Sequence, residues 1–417
     1  MKQKIKFLAS FVALLVAMVC MSIVVFADEP TAAPAQVTGL KQTDASSSSI
    51  DLSYDTQLID CEYQVELSED GKTWVDKGTS YDGDAWIGSL TTGKTYYARV
   101  KAYTEYWDSN VSKYVKVYGI PSSVIKVVTE PDTVKNLKQT AATTNSMTFS
   151  WDAVTGATGY YVYQEIDNSG TPKLVATVAT NKATIKNLKN SNDYEFHVYS
   201  YKKGDTYTAV SYSYDGLYSY DLKLLPGKIN PNKVTNSGFY SSLKKVYFDY
   251  AKAPYTDGYE IRVYAYNKNK VVSKVVTTSA YTDLKNIKPN MFYKFKIRGY
   301  SIIDGQKKFG AWSNFKYISH QPDVISANQV GSKKQAKIKW DTVKGATNYT
   351  VYMSTKQKSG YKKVATTKKT SVVVKKLGKT NLKKNKTYYV YVVANRKVGK
   401  TTYTSDATYC WNFKLRR

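Results

Sequence analysis

One pattern recurs four times in fixed register along this chain, and it confines the polypeptide to a tandem array of small domains. An aromatic residue is followed nine positions later by a tyrosine: Tyr54 and Tyr63, Trp151 and Tyr160, Tyr250 and Tyr259, Trp340 and Tyr349. Further on come an apolar residue, a tyrosine six positions later and another apolar residue four beyond that. These triplets are Leu90/Tyr96/Val100, Leu188/Tyr194/Val198, Ile287/Tyr293/Ile297 and Leu382/Tyr388/Val392. Successive copies lie 90 to 99 residues apart. Solenoid and propeller repeats run to about 20 to 50 residues, so this longer period corresponds to whole domains, each able to bury its own core.

Within each copy the apolar residues alternate over short runs. Met147, Phe149 and Trp151 alternate with Thr148 and Ser150, the turn residues of Asp152 to Gly159 follow, and Tyr160-Tyr161-Val162-Tyr163 opens the next run. Trp340-Asp341-Thr342-Val343-Lys344-Gly345-Ala346-Thr347-Asn348-Tyr349 repeats the arrangement. Period-2 runs separated by frequent turn signals, with no sustained helical period, predict antiparallel β-sandwiches. A tyrosine opening a strand, six residues after an apolar residue across the preceding corner, is a tyrosine-corner arrangement whose phenol bonds back to the backbone. This assigns structural roles to Tyr96, Tyr194, Tyr293 and Tyr388. Two positions later, where an antibody-type domain carries its cysteine, stand Ala98, Phe196, Phe295 and Val390.

These features, with Tyr63-Gln64-Val65, Tyr160-Tyr161-Val162, Tyr259-Glu260-Ile261, Tyr349-Thr350-Val351 and the Trp312-Ser313 pair, resemble fibronectin type III domains, in an array of the bacterial exported or surface type. The resemblance implies an all-β chain of four tandem sandwiches over residues 28–130, 131–226, 227–321 and 322–417. The boundaries fall where proline interrupts the strand pattern, at Pro131, between Pro226 and Pro231, and at Pro322. Short linkers predict a semi-rigid rod. Such domains serve as adhesion modules, receptor ectodomains and spacers, so the likeness carries little functional weight.

Residues 1–27 read as an export signal: Lys2, Lys4 and Lys6, an apolar stretch from Phe7 to Phe26, and Val25-Phe26-Ala27 before the expected cleavage point. The apolar stretch of 20 residues is also long enough to remain as a membrane anchor, the one membrane contact expected. Either outcome places the repeats outside the cell, secreted or at the cell surface. Past the signal only Cys61 and Cys410 remain, in the first and last repeats, so no disulfide within a domain is possible. Each is expected as a small buried apolar residue.

The formal net charge of +28 is unevenly spread: the four repeats carry −7, 0, +12 and +20. A domain with three acids against 23 bases repels itself, which points to an anionic partner. The excess is lysine, in runs such as Lys375-Lys376 and Lys383-Lys384, and lysine suits diffuse attraction to a polyanion better than bidentate recognition. Outside a cell, the expected partner is an anionic cell-wall polymer or polysaccharide. Nucleic acid is disfavoured because none of its usual binding motifs occurs.

Strand parity turns Tyr352, Tyr389 and Tyr391 outward on neighbouring strands of the fourth repeat, where they could stack on sugar rings or stabilise the sheet as cross-strand pairs. With Lys375, Lys376, Lys383 and Lys384 they form the candidate ligand site. A second candidate is the tyrosine-rich hairpin of the second repeat, with Tyr201, Tyr207, Tyr212 and Tyr214 placed to contact a protein partner. It also contains Lys203-Gly204-Asp205, similar to an integrin-recognised tripeptide, although a Gly-Asp pair is what a hairpin turn favours. The chain has only two histidines, His197 and His320, and no phosphate loop, nucleophile elbow or calcium loop, so no catalytic, metal or cofactor site can be drawn. The expectation is a noncatalytic binding and spacer protein. The alternative is a structural array that self-associates through its charge gradient.

Overall fold

The computed structural model describes residues 32–417 except positions 58, 59, 109, 167, 168, 190, 213–215, 219, 220, 231–233, 241–244, 251, 252, 280, 286, 408 and 417. The expected signal, residues 1–27, lies outside them. The elements are all β-strands in antiparallel sheets, with no α-helix among the described residues. Alternation sets their faces. In Thr95–Asp108, Tyr96, Ala98, Val100 and Ala102 are buried while Tyr97, Arg99 and Lys101 are half-buried on the other side.

Each repeat carries two sheets in one strand order. In the first, Lys41–Ala45, Ile50–Ser53 and Asp84–Ile87 form a three-stranded sheet. The other sheet runs Val75–Ser80, Glu62–Ser68, Thr95–Asp108, Lys113–Tyr118, with Ile125–Val128 also paired to Thr95–Asp108. Ile50, Leu52, Tyr54, Tyr63, Val65 and Val100 belong to the core between them. The second repeat has the sheets Lys138–Ala142, Met147–Ser150, Lys182–Ile185 and Lys173–Val178, Gly159–Ile166, Tyr194–Lys203, Thr208–Ser211. In the third repeat the central pair is Gly258–Ala265 with Tyr293–Ile303, and in the fourth Asn348–Ser354 with Thr387–Val398.

By contacts the described residues fall into two compact units. One takes in residues up to 137 with Ser150–Ala183 and Tyr194–Tyr218; the other takes in Lys138–Phe149, Thr184–Asp193 and residues of 219–417.

Two tyrosines per repeat tie strands to loops. Three of the corner phenols accept from a backbone amide five residues earlier: Tyr96 from Thr91 at 2.9 Å, Tyr293 from Lys288 at 2.9 Å and Tyr388 from Lys383 at 2.8 Å. Tyr194 is buried. The tyrosine nine residues after the first aromatic packs its ring on that aromatic, with centroids 4.5 to 5.7 Å apart. Its hydroxyl accepts the amide six residues before it. These bonds run from Gln57 to Tyr63 (2.6 Å), Val154 to Tyr160 (2.8 Å), Ala253 to Tyr259 (2.7 Å) and Val343 to Tyr349 (2.9 Å). Each bond satisfies a loop amide at the edge of the core, where leaving it unpaired would cost about 1–3 kcal/mol.

Cys61 and Cys410 are free and half-buried. Cys61 packs against the core of the first repeat as a small apolar residue, whereas Cys410, expected as a buried one, is only half-covered. The Cys410 sulfur lies 3.9 Å from the Gln357 carbonyl oxygen.

Candidate binding surface

In the fourth repeat, Asn348–Ser354 and Thr387–Val398 pair with Tyr352 opposite Tyr391 and Ser354 opposite Tyr389. Val351, Met353, Val390 and Val392 fill the core on one face, which leaves the tyrosines on the other. Tyr352 and Tyr391 stack with centroids 5.0 Å apart and planes 19° from parallel. Tyr361 joins them, 4.8 Å from Tyr391 at 56°. Burial, then the neighbouring Cys410 thiol, pushes the Tyr361 phenol up from its ordinary pKa. Burial and the Tyr352 ring do the same to Tyr391. The stacked pair covers one face of each ring, as a cross-strand pair does when it stabilises a sheet. Tyr361 was not among the sequence candidates, because it lies just outside a strand and parity does not reach it.

The candidate lysines lie elsewhere on this repeat. Lys375 and Lys376 are exposed beside the ribbon Lys376–Leu377 with Thr380–Asn381, while Lys383 and Lys384 precede the corner tyrosine Tyr388. The lysine opposite Tyr352 in the ladder is Lys363. Its neighbour Lys362 reaches the ribbon: a Cβ on Gly378, at φ 62°, would stand 3.3 Å from the Lys362 Cδ. Every lysine from Lys333 to Lys414 is exposed except half-buried Lys384. Among the described residues none of them forms an ion pair, unlike Lys94, Lys101 and Lys116 of the first repeat.

The tyrosine-rich hairpin of the second repeat is engaged within its own unit. Asp205 accepts from the Lys126 amide at 2.7 Å, and its own amide donates to the Lys126 carbonyl at 3.0 Å. Thr206 Oγ1 accepts from the Gln42 amide at 2.9 Å, and the Tyr207 hydroxyl donates to Asp44 at 3.1 Å. A Cβ at Gly204 would sit 2.9 Å from the Lys126 carbonyl oxygen. Lys203-Gly204-Asp205 is therefore a docking element against the first repeat. Burial and then the Asp44 carboxylate raise the Tyr207 phenol to about 12. Tyr201 stacks on Tyr161 at 4.3 Å, and Tyr212, 70 % exposed, leans on Tyr199 at 5.0 Å. Tyr214 lies outside the described residues.

The face in the third repeat that corresponds to this tyrosine sheet interleaves cations and rings. Arg298 lies 4.3 Å from Trp312 and 4.0 Å from Phe309, while Lys296 lies 4.4 Å from Trp312. Glu260 ties Arg262 and Arg298 together at 2.6 Å each. No group of three or more His, Cys, Asp or Glu that could hold a metal occurs among the described residues. His197 bonds Glu195 at 2.8 Å, and the His320 ring Nδ1 lies 2.5 Å from the Gln321 carbonyl oxygen.

Residues 132–213 match the family model described as Fibronectin type III domain. No curated protein matches the chain. Among solved structures, the chicken CNTN1 FN1-FN3 domains are similar at 16% identity and a TM-score of 0.30, covering 68% of this chain and 98% of that one. The fibronectin type-III domain of human fibronectin type III domain containing protein 3 is similar at 20% identity and a TM-score of 0.21, covering 25% of this chain and 93% of that one. The residues matched by the family model have the strand order common to all four repeats, and the fold is an all-β array of fibronectin type III-like repeats.

Proposed function

We propose that the chain is a noncatalytic, exported binding and spacer protein whose basic third and fourth repeats dock on an anionic cell-surface polymer. One observation carries the reading: in the fourth repeat the lysines project into solvent and are left unpaired by acids among the described residues. A surface of this kind repels itself and gains when a polyanion neutralises it. Lysines spread over several strands and loops suit a flexible polymer with repeating charge better than one compact ligand. In this reading the tyrosines of the fourth repeat stiffen the sheet that displays the charge. The first two repeats, joined by the 203–207 hairpin, act as the spacer.

The test is binding of the chain from residue 28 onward to purified anionic cell-wall polymer between about 50 and about 200 mM salt, where counterion release makes multi-contact binding fall steeply. Replacing Lys362, Lys363, Lys376 and Lys379 with glutamine should lower both the affinity and the salt slope. Binding that is absent at low salt, or unaffected by these four changes, sinks the proposal.

A second reading has its own support. Burial and then the nearby carboxylates of Asp44 and Asp84 raise the Asp51 pKa, so acids on the first repeat crowd one another and would be relieved by a basic partner. Sedimentation without polymer separates the two: salt-sensitive self-association favours a head-to-tail array.

A further inference from the structure

The outer face of the three-stranded sheet differs in kind between the first and fourth repeats. In the first, Ile50, Leu52 and Ile87 turn into the core, which puts Asp51, Ser53, Asp84 and Trp86 on the outside. The ladder sets Asp51 between Asp44 and Trp86, and two residues on it sets Ser53 between Lys41 and Asp84. Three acids thus stand against Lys41, and Asp44 keeps its charge while accepting from the Tyr207 hydroxyl. Among the described residues none of these carboxylates forms an ion pair, unlike Glu66 of the other sheet. Trp86 is 70 % exposed, and its indole lies over Gly88, where a Cβ would collide with the ring. In the fourth repeat Ala336, Ile338, Trp340 and Val374 are buried, so Lys337, Lys339, Ser371 and Val373 face outward. Lys337 pairs with Val373 as Asp51 pairs with Trp86, and Lys339 with Ser371 as Ser53 with Asp84. The first strand adds Asn328 beside Lys337 and Ser326 beside Lys339, so no acid shares these rungs. The middle repeats satisfy this face internally: Thr148 and Thr184 hydroxyls bond at 2.9 Å in the second, and the Tyr247 and Tyr281 rings stack in the third.

The two faces complement each other in charge and in kind. Each repels itself, since like charges stand on adjacent rungs without counter-ions, and each is relieved by the other. Each also carries one exposed apolar side chain at the same ladder position: Trp86, which offers a broad flat ring, and Val373, 42 % exposed. We infer that the acidic outer face of the first repeat in one molecule docks on the basic outer face of the fourth repeat in a second copy, the carboxylates of Asp51 and Asp84 toward Lys337 and Lys339 and the indole of Trp86 supplying the apolar contact. The inference rests on the self-association reading above and gives it its two surfaces. Because the surfaces differ, the contact is heterologous and each molecule keeps one of each free for the next, which builds rows or rings. Strands of four to six residues make a small face. The contact therefore belongs to the weak class of protein interfaces, below about 1,200 Å² in total.

The experiment is sedimentation velocity of the chain from residue 28 onward, without polymer, at up to about 0.5 mM protein to populate a weak contact. Wild type is expected to associate at about 50 mM salt and to dissociate at about 500 mM, where screening is strong. One variant reverses the acidic face (Asp51→Lys with Asp84→Lys), and another reverses the basic face (Lys337→Glu with Lys339→Glu). Each is expected to sediment as a monomer alone, and an equimolar mixture of the two is expected to associate again, because every reversed face then meets one of opposite charge. The fold already accepts a lysine at the register position of Asp51, as Lys337 shows. Circular dichroism melts confirm folding, and Trp86→Ser, which removes an exposed ring and is expected to weaken association about tenfold, decides alone should a reversed chain not fold. If wild type associates and the variants associate equally, these faces are overturned while self-association stands. If wild type stays monomeric at low salt, the self-association reading fails and the faces fall with it.

Discussion

At the scale of single residues, tyrosine does most of the structural work, and its chemistry explains why. A phenol packs like phenylalanine yet ends in a group that can satisfy a backbone amide, so one side chain closes the core and caps a loop. The position nine after the first aromatic is tyrosine in every repeat because its hydroxyl must reach the amide six residues back. Burial also marks these rings in titration. Tyr54, enclosed by the first core, and Tyr207, half-buried at the hairpin beside Asp44, are both pushed up to about 12. Because the folded pKa lies above the unfolded value near 10, the contribution to stability is complete below pH 10 and is lost as pH rises toward 12. Difference absorbance of phenolate between wild type and Tyr54→Phe should therefore show a phenol ionising well above pH 10, together with loss of near-ultraviolet dichroism; ionisation at the ordinary value would contradict the burial.

At the scale of elements, the hairpin at residues 203–207 shows how a motif acquires its meaning from what it touches. Lys203-Gly204-Asp205 reads equally as a turn or as an adhesive tripeptide, and its hydrogen bonds to Lys126 give it a third role, as the clamp between two repeats. The Gly204 requirement follows from the close approach of the Lys126 carbonyl. Asp205→Ala should speed exchange of the Lys126 amide about tenfold or more, the effect of losing a charge-assisted acceptor, while amides of the Ile50–Ser53 strand keep their protection. Unchanged exchange at Lys126 would show that the hairpin does not hold the repeats together in solution. The outward tyrosines follow the same logic: Tyr352 and Tyr391 occupy one another, which favours their role in the sheet.

At the scale of the molecule, the fourth repeat does not end where its sequence copy begins. Phe292, from the third repeat, belongs to the fourth core with Trp340 and Val343, and its amide donates to the Lys344 carbonyl at 2.8 Å. Arg396 lies 4.5 Å from Tyr266 and 5.1 Å from Tyr317, and donates to the Gly345 carbonyl. The basic surface is thus carried on a repeat braced by its neighbour, which favours testing docking on the whole chain rather than on an excised fragment. Phe292→Ala should destabilise the fourth repeat by about 3–5 kcal/mol, the range for emptying a buried phenylalanine site. Amide exchange in Ala336–Trp340 and Asn348–Ser354 should rise while Glu62–Ser68 is unaffected. No rise in the fourth repeat would place Phe292 outside its core.

The sequence by itself determined the number of repeats, the strand-rich character of each, the faces of their central strands and the charge gradient. These properties are local or periodic: a strand shows its buried face in every second residue, a repeat shows its register in recurring aromatics, and charge needs only counting. Tertiary structure alone decided which neighbours those residues meet. It turned the candidate hairpin toward Asp44 and Lys126, set Lys363 rather than Lys375 or Lys383 opposite Tyr352, and moved Phe292 into the next core. Contacts of that kind depend on how edges and loops come together across long stretches of chain, and no spacing within one segment encodes them.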